Sequence, residues 1–174
     1  MRRYMLGLLA VGLLAIGPAT AQGGLTIDAS TVIVERADAP GPVKKAAEDL
    51  ASDMEKVLGK RPQIVAQAAG SAIEIAAPTS GATESFAIAL RGNHVVLSGA
   101  DMRGTIFAIY SFSQDYLGVD PMYYWNDNQP AHRASVVIPA GLARNFPSPL
   151  FRYRGFFIND EDRLTGWDPG EKTD

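Results

Sequence analysis

The sequence contains no cysteine, which excludes disulfide frameworks, thiolate metal sites and cysteine nucleophiles. It has two histidines, His94 and His132, far apart and in no H-E-x-x-H or H-x-E setting, so no metal centre is expected. No G-x-G-x-x-G fingerprint, Walker A loop or G-x-S-x-G elbow occurs, and no cofactor is expected. No Asn-x-Ser/Thr sequon is present. Basic charge is not in excess: 16 Lys and Arg stand against 19 Asp and Glu, net −3, which argues against a nucleic-acid partner. No apolar run reaches the roughly 20 residues of a membrane-spanning helix. What is present is the material of a core: 47% of the 174 residues are hydrophobic and 20% charged. That is room for one folded domain and a fragment of another.

The amino terminus reads as an export signal. Arg2 and Arg3 form a positive start, Met5 to Ile16 is apolar, and Ala19-Thr20-Ala21 supplies an A-x-A cleavage site before Gln22. Residues 1–21 are therefore expected to be a signal peptide, with the mature protein periplasmic or secreted and not membrane-embedded. The leader carries two of the basic residues and no acid, so its removal leaves 14 against 19, net −5.

In the mature chain, residues 22–31 form a Gly/Ser/Thr-rich lead-in to a short strand, Val32-Ile33-Val34. Asp38-Ala39-Pro40-Gly41-Pro42 breaks the chain and places proline at a helix start. Val43, Ala46, Ala47, Leu50, Met54, Val57 and Leu58 recur at helical spacing, with Lys44, Lys45, Glu48, Asp53 and Lys56 on the other side. Gly59 suits the residue after the helix, and Pro62 forbids its continuation. Strands are predicted at Gln63–Val65, Ile73–Ile75, Phe86–Leu90 and Val95–Leu97, the last two joined through Gly92-Asn93. Asp101 can cap a second helix in which Ile106, Ile109, Tyr110, Ser113 and Leu117 share a face, ended by Gly118. Gly104 in its first turn suggests close approach to a strand. Val136-Val137-Ile138 reads as a further strand of the same domain, and Asn145-Phe146-Pro147-Ser148-Pro149 as a linker.

Three groups could carry chemistry. Asp160, Glu161 and Asp162 form the densest carboxylate cluster, although an acid cluster after a strand also suits a solvated turn or helix cap. Tyr123-Tyr124-Trp125 could present flat rings to a sugar, or could pack in the core or between domains. Arg152 and Arg154 alternate on one face, able to contact a carboxylate on substrate or protein.

Asp101-Met102-Arg103-Gly104-Thr105-Ile106-Phe107-Ala108-Ile109-Tyr110, Leu117-Gly118-Val119, Tyr124-Trp125 and Tyr153-Arg154-Gly155-Phe156-Phe157-Ile158-Asn159-Asp160-Glu161 together resemble glycoside hydrolase family 115, the xylan α-1,2-glucuronidases. Glu84-Ser85-Phe86 and Leu164-Thr165-Gly166-Trp167 fit the same pattern, so the resemblance spans roughly residues 30–174. The first half also resembles the non-catalytic domain that precedes the barrel in families 20, 67 and 84.

The resemblance implies an α/β (α+β) architecture: a small amino-terminal domain (22–144) with a mixed sheet and two helices packed on it, a Pro-rich linker (145–150), and at 151–174 the first strand of an incomplete (β/α)₈ barrel. A complete barrel takes at least roughly 200 residues. The implied activity is release of (4-O-methyl-)glucuronic acid from xylan-derived oligosaccharide or polysaccharide, with inversion and without metal. Trp125, Asn159, Glu161 and Arg154 become candidates for substrate binding. No catalytic acid or base is assignable, because an inverting pair comes from several strands, and this chain alone is expected to be inactive. Two alternatives stand beside this reading: a short periplasmic carbohydrate-binding or adaptor module, and the corresponding part of a related barrel glycosidase such as a hexosaminidase.

Overall fold

The computed structural model describes residues 24–123 and 128–155. Its centre is a six-stranded mixed sheet in the order β3-β2-β4-β6-β5-β8, with a separate two-stranded ribbon β1-β7. The strands are β1 (Leu25–Asp28), β2 (Val32–Glu35), β3 (Ile64–Val65), β4 (Ala72–Ile75), β5 (Phe86–Arg91), β6 (His94–Gly99), β7 (Ser135–Ile138) and β8 (Ala143–Phe146). The helices are α1 (Gly41–Leu58) and α2 (Met102–Phe112). Strands β3, β2, β4 and β6 run parallel, and β5 is antiparallel to both β6 and β8.

Register decides which side chains form the core. Ile33, Ile73 and Val95 lie in one row across three strands, and Ile75, Leu97 and Ile88 in the next; all six are buried. Against this face α1 buries Val43, Ala46, Ala47, Leu50, Met54, Val57 and Leu58, the periodic set expected from sequence, and Ala51 besides. The helix ends at Gly59, whose φ of 78° is the left-handed conformation that glycine adopts without a Cβ penalty. The β5–β6 hairpin turns through Gly92-Asn93 with positive φ at Gly92 alone, the type II′ pattern.

Helix α2 begins as the sequence predicts. Asp101 is its N-cap, its Oδ1 accepting from the Gly104 amide at 2.8 Å. The close approach expected at Gly104 is present: a Cβ there would lie 2.5 Å from the Ser85 carbonyl oxygen and 3.3 Å from the Gly99 Cα. At the other end α2 runs into a π-helical turn, Ser113–Leu117, closed by Gly118 at φ 72°. The extra residue in that turn shifts the face beyond Phe112, where Ser113 and Leu117 are buried. The buried residues of α2 are Gly104, Thr105, Ala108, Ile109 and Phe112, whereas Tyr110, expected on the inner face, is 45% exposed.

Two strands lie where none was expected. The lead-in 22–31 contains β1, which pairs with β7 from Leu25↔Ile138 to Asp28↔Ser135 and buries Ile27. The segment read as a linker begins inside β8: Phe146 and Asn145 pair with Phe86 and Ala87, and the Phe86 and Phe146 rings stack at 4.3 Å. Both strands carry polar residues, so their pairing depends on a partner distant in sequence. Beyond β8, Pro147, Ser148 and Pro149 have no regular structure, and residues 151–155 form no strand. The strand expected at 151–158 is thus not seen in its described half: two prolines withhold amide donors just before it, and among the described residues no strand pairs with 151–155. Phe156, Phe157 and Ile158 lie outside the described residues. No helix among the described residues is long and apolar enough to cross a membrane.

Candidate functional site

A cavity of about 590 Å³ lies between the outer sides of α1 and α2 and the chain that leaves β8. Apolar walls come from Phe86, Phe107, Val119 and Pro149, and polar groups from Asp49, Asp53, Lys56, Tyr110, Ser113 and Tyr123. That volume lies in the range of small-molecule sites. Its polar groups are hydrogen-bonded to one another. Tyr110 donates from its hydroxyl to Asp49 Oδ2 at 2.8 Å, and Ser113 Oγ donates to Asp53 Oδ2 at 2.5 Å. Lys56 donates from Nζ to the Tyr123 hydroxyl at 2.6 Å, lies 4.8 Å from that ring's centroid, and stands 3.7 Å from Asp53 Oδ1.

The cavity shifts its own acids. Burial raises the Asp53 carboxyl above its ordinary range, against the lowering effect of the Ser113 hydrogen bond and the Lys56 charge. Burial, then the hydrogen bond to Asp49, pushes the Tyr110 phenol above its ordinary range, so it remains a donor. The arrangement can accept and donate hydrogen bonds and stack a flat apolar face on Tyr110 or Tyr123. Asp49 is shared between the Tyr110 hydroxyl and Lys45, and Asp53 between the Ser113 hydroxyl and Lys56.

A second cluster stands at the amino end of α2. Glu84 is 8% exposed and has φ 64°, the only positive φ at a non-glycine residue among those described. Its amide donates to Asp101 Oδ2 at 2.9 Å. Its carboxylate meets Arg103 Nε at 3.0 Å through Oε1 and Arg154 Nη2 at 2.5 Å through Oε2. Both guanidinium groups flank the Phe107 ring, at 5.8 Å for Arg103 and 5.6 Å for Arg154. The Gly104 amide, first, and the Glu84 amide together hold the Asp101 carboxyl below its ordinary range.

Of the residues named from sequence, Arg154 falls within this second cluster, and its other terminal nitrogen, Nη1, donates to the Phe151 carbonyl. Arg154 and Tyr123 also line the cavity, so the structure brings these two together. Trp125, Asn159 and Glu161, and the carboxylates Asp160 and Asp162, lie outside the described residues. Sequence reasoning missed Asp49, Asp53 and Glu84. Asp53 reads as part of the solvated side of α1, yet its side chain is only 13% exposed because the π-helical turn brings Ser113 against it. The available signal was the pair Asp49 and Asp53, four residues apart and hence on one helix face. Nothing local marks Glu84. Among the described residues no group of three or more His, Asp or Glu side chains is placed to hold a metal ion.

No protein-family model and no curated protein matches the sequence. Among solved structures, the fold matches glycoside hydrolases. The chain superimposes on a family GH115 4-O-methyl-α-glucuronidase with specificity for decorated arabinogalactans, with TM-score 0.71 and 21% identity, over 84% of this chain and 22% of that one. It superimposes on the Streptomyces plicatus β-hexosaminidase with TM-score 0.55 and 15% identity, over 76% of this chain and 24% of that one. The family GH20 β-N-acetylhexosaminidase of Streptomyces coelicolor A3(2) gives TM-score 0.54 and 14% identity, over 76% and 25%. At these identities the shared property is the fold. The chain spans about a quarter or less of each of these enzymes.

Proposed function

We propose that this chain is the amino-terminal portion of an exported glycoside hydrolase that releases (4-O-methyl-)glucuronic acid from a decorated plant polysaccharide, xylan foremost. The observation that supports the reading is the superposition on a glucuronidase over most of this chain and a fifth of that enzyme. Residues 1–21 direct export and are removed before Gln22.

In this reading the described domain supports the chemistry and does not perform it. An inverting glycosidase needs two carboxyl groups roughly 6.5–9.5 Å apart across the scissile bond. Three of the carboxylates described have structural partners: Glu84 two arginines, Asp53 a serine, Asp101 a helix terminus. In this reading the acid and base come with the rest of the barrel. Trp125, Asn159 and Glu161 are the substrate contacts this portion would contribute. Arg154 would act beside them as a tether.

The test is an assay of uronic acid released from 4-O-methylglucuronoxylan and from decorated arabinogalactan. Residues 22–174 should release none; the polypeptide extended through its downstream reading frame should release it with inversion at the anomeric carbon. Turnover by residues 22–174 would overturn the supporting role, and an extended polypeptide inert on both polymers would overturn the substrate class. The superpositions on two hexosaminidases favour a second reading, which would show instead as N-acetylglucosamine release from an aryl glycoside by the same extended polypeptide.

A further inference from the structure

The chain beyond β8 is held without the usual hydrophobic anchorage. Leu150, Phe151 and Tyr153 are 95%, 72% and 85% exposed, so burial of these side chains does not fix residues 147–155 to the domain. Pro149 is half-buried at the cavity wall, and the hydrogen bonds and ion pairs that attach the segment are polar. Ser148 Oγ donates to the Thr83 carbonyl, and Arg154 reaches back to Glu84 and over Phe107. Both acceptors belong to the turn ahead of β5, adjacent residues Thr83 and Glu84.

Glu84 is costly where it stands. Left-handed backbone is disfavoured for a residue with a Cβ, and a buried carboxylate needs charged partners. A glycine would meet the backbone demand alone. The surroundings instead hold the strained conformation in place: Asp101 takes the Glu84 amide with one oxygen and caps α2 with the other. Arg103, on the first turn of α2, neutralises one side of the carboxylate and leaves Oε2 for Arg154.

We propose that Glu84, Arg103 and Arg154 form an ionic latch that holds residues 147–155 against α2 as a strap. The latch fixes the direction in which the chain leaves the domain. Because Pro149 and Arg154 also line the cavity between α1 and α2, the closed strap forms one of its walls, and release of the latch opens that side. This inference concerns the chain itself and stands apart from any substrate.

The absence of cysteine allows paired labels to be introduced without background. Nitroxides on Tyr153→Cys and Lys60→Cys should give one narrow distance distribution in the parent protein at low ionic strength. It should broaden to at least twice its width with Arg154→Gln and with Glu84→Gly. Glu84→Gly relieves the backbone while deleting the carboxylate, so its melting temperature should hold or rise as the strap loosens; a purely structural turn would leave the distribution narrow. A distribution that is broad in the parent, or unchanged in Arg154→Gln, overturns the latch. Should Glu84→Gly fail to fold, Arg154→Gln decides alone, since Arg154 lies on the exposed strap.

Discussion

The backbone of Gly104 passes so close to Ser85 that a methyl group on Gly104 would sit 2.5 Å from the Ser85 carbonyl oxygen. The obstacle is main chain just ahead of β5, its carbonyl oxygen already accepting from the Ala100 amide at 2.9 Å, so no flexible side chain can swing away to relieve it. Gly99 meets the same surface from β6: a Cβ there would lie 2.0 Å from the Thr105 amide nitrogen. Two glycines thus let α2 lie directly on the β5–β6 hairpin.

Gly104→Ala should therefore destabilise the domain although alanine is the better helix former. The propensity gain is about 1 kcal/mol. Overpacking against fixed backbone costs about 1–3 kcal/mol, with displacement of α2 the only relief. Urea unfolding should show a lower midpoint with an unchanged slope; a midpoint equal to or above the parent's would refute the close packing.

Asp101→Ala should cost more than an ordinary cap. Loss of an N-cap costs about 0.5–2 kcal/mol, and here the same change also strips the Glu84 amide of its acceptor. The pH dependence follows in sign. The folded-state pKa of Asp101 lies below the ordinary 3.8, so its contribution is full above that value and is lost as pH falls through the folded pKa. Acid unfolding followed by circular dichroism should begin at higher pH in Asp101→Ala than in the parent.

Asp53 should act in the opposite direction. Its folded pKa is raised above 3.8 by burial, so the native state binds the proton more tightly and the cost of ionisation grows as pH rises through the folded value. Asp53→Asn can still accept from Ser113 through its amide oxygen and carries no charge to bury. The parent should lose stability relative to this variant as pH rises from 3.8 through the folded value, measured as a widening gap in melting temperature. A gap that stays constant over that range would show that the carboxyl is not displaced from its ordinary pKa.

Burial also raises the Glu35 carboxyl, whose Oε1 is enclosed without a hydrogen-bond partner. Glu35→Gln should therefore narrow any residual pH dependence left in the Asp53→Asn background over the same range. An unaltered profile would assign that residual to other groups.

Much of the architecture is legible along the chain because its signals are local. Helix α1 follows from apolar spacing and the Gly59 stop, the β5–β6 hairpin from Gly92-Asn93, and the start of α2 from Asp101. Even the Gly104 contact is foreshadowed, since a glycine in a first helical turn needs a reason. The elements that were not legible depend on remote partners. In β1, Thr26 and Asp28 sit among glycine, serine and threonine, and only pairing with β7, over a hundred residues away, makes a strand of them. In β8, Arg144 and Asn145 obscure the pattern; Arg144 reaches the π-helical turn through Asp115 at 2.7 Å, a contact with no trace in sequence.

The candidate site divides in the same way. The cavity needs Tyr110 turned outward and Asp53 held inward by Ser113, which opens a π-helical turn whose extra residue no periodicity announces. Composition and periodicity by themselves determined a cysteine-free α/β layer, its two helices and their ends, because capping, glycine freedom and apolar spacing act within a few residues. Tertiary structure alone decided which carboxylates are buried, that Glu84 bears a strained backbone, and that Arg154 is tied to it across 70 positions of chain. Charge burial depends on what several separate segments place around one atom, and that is settled only once they have packed.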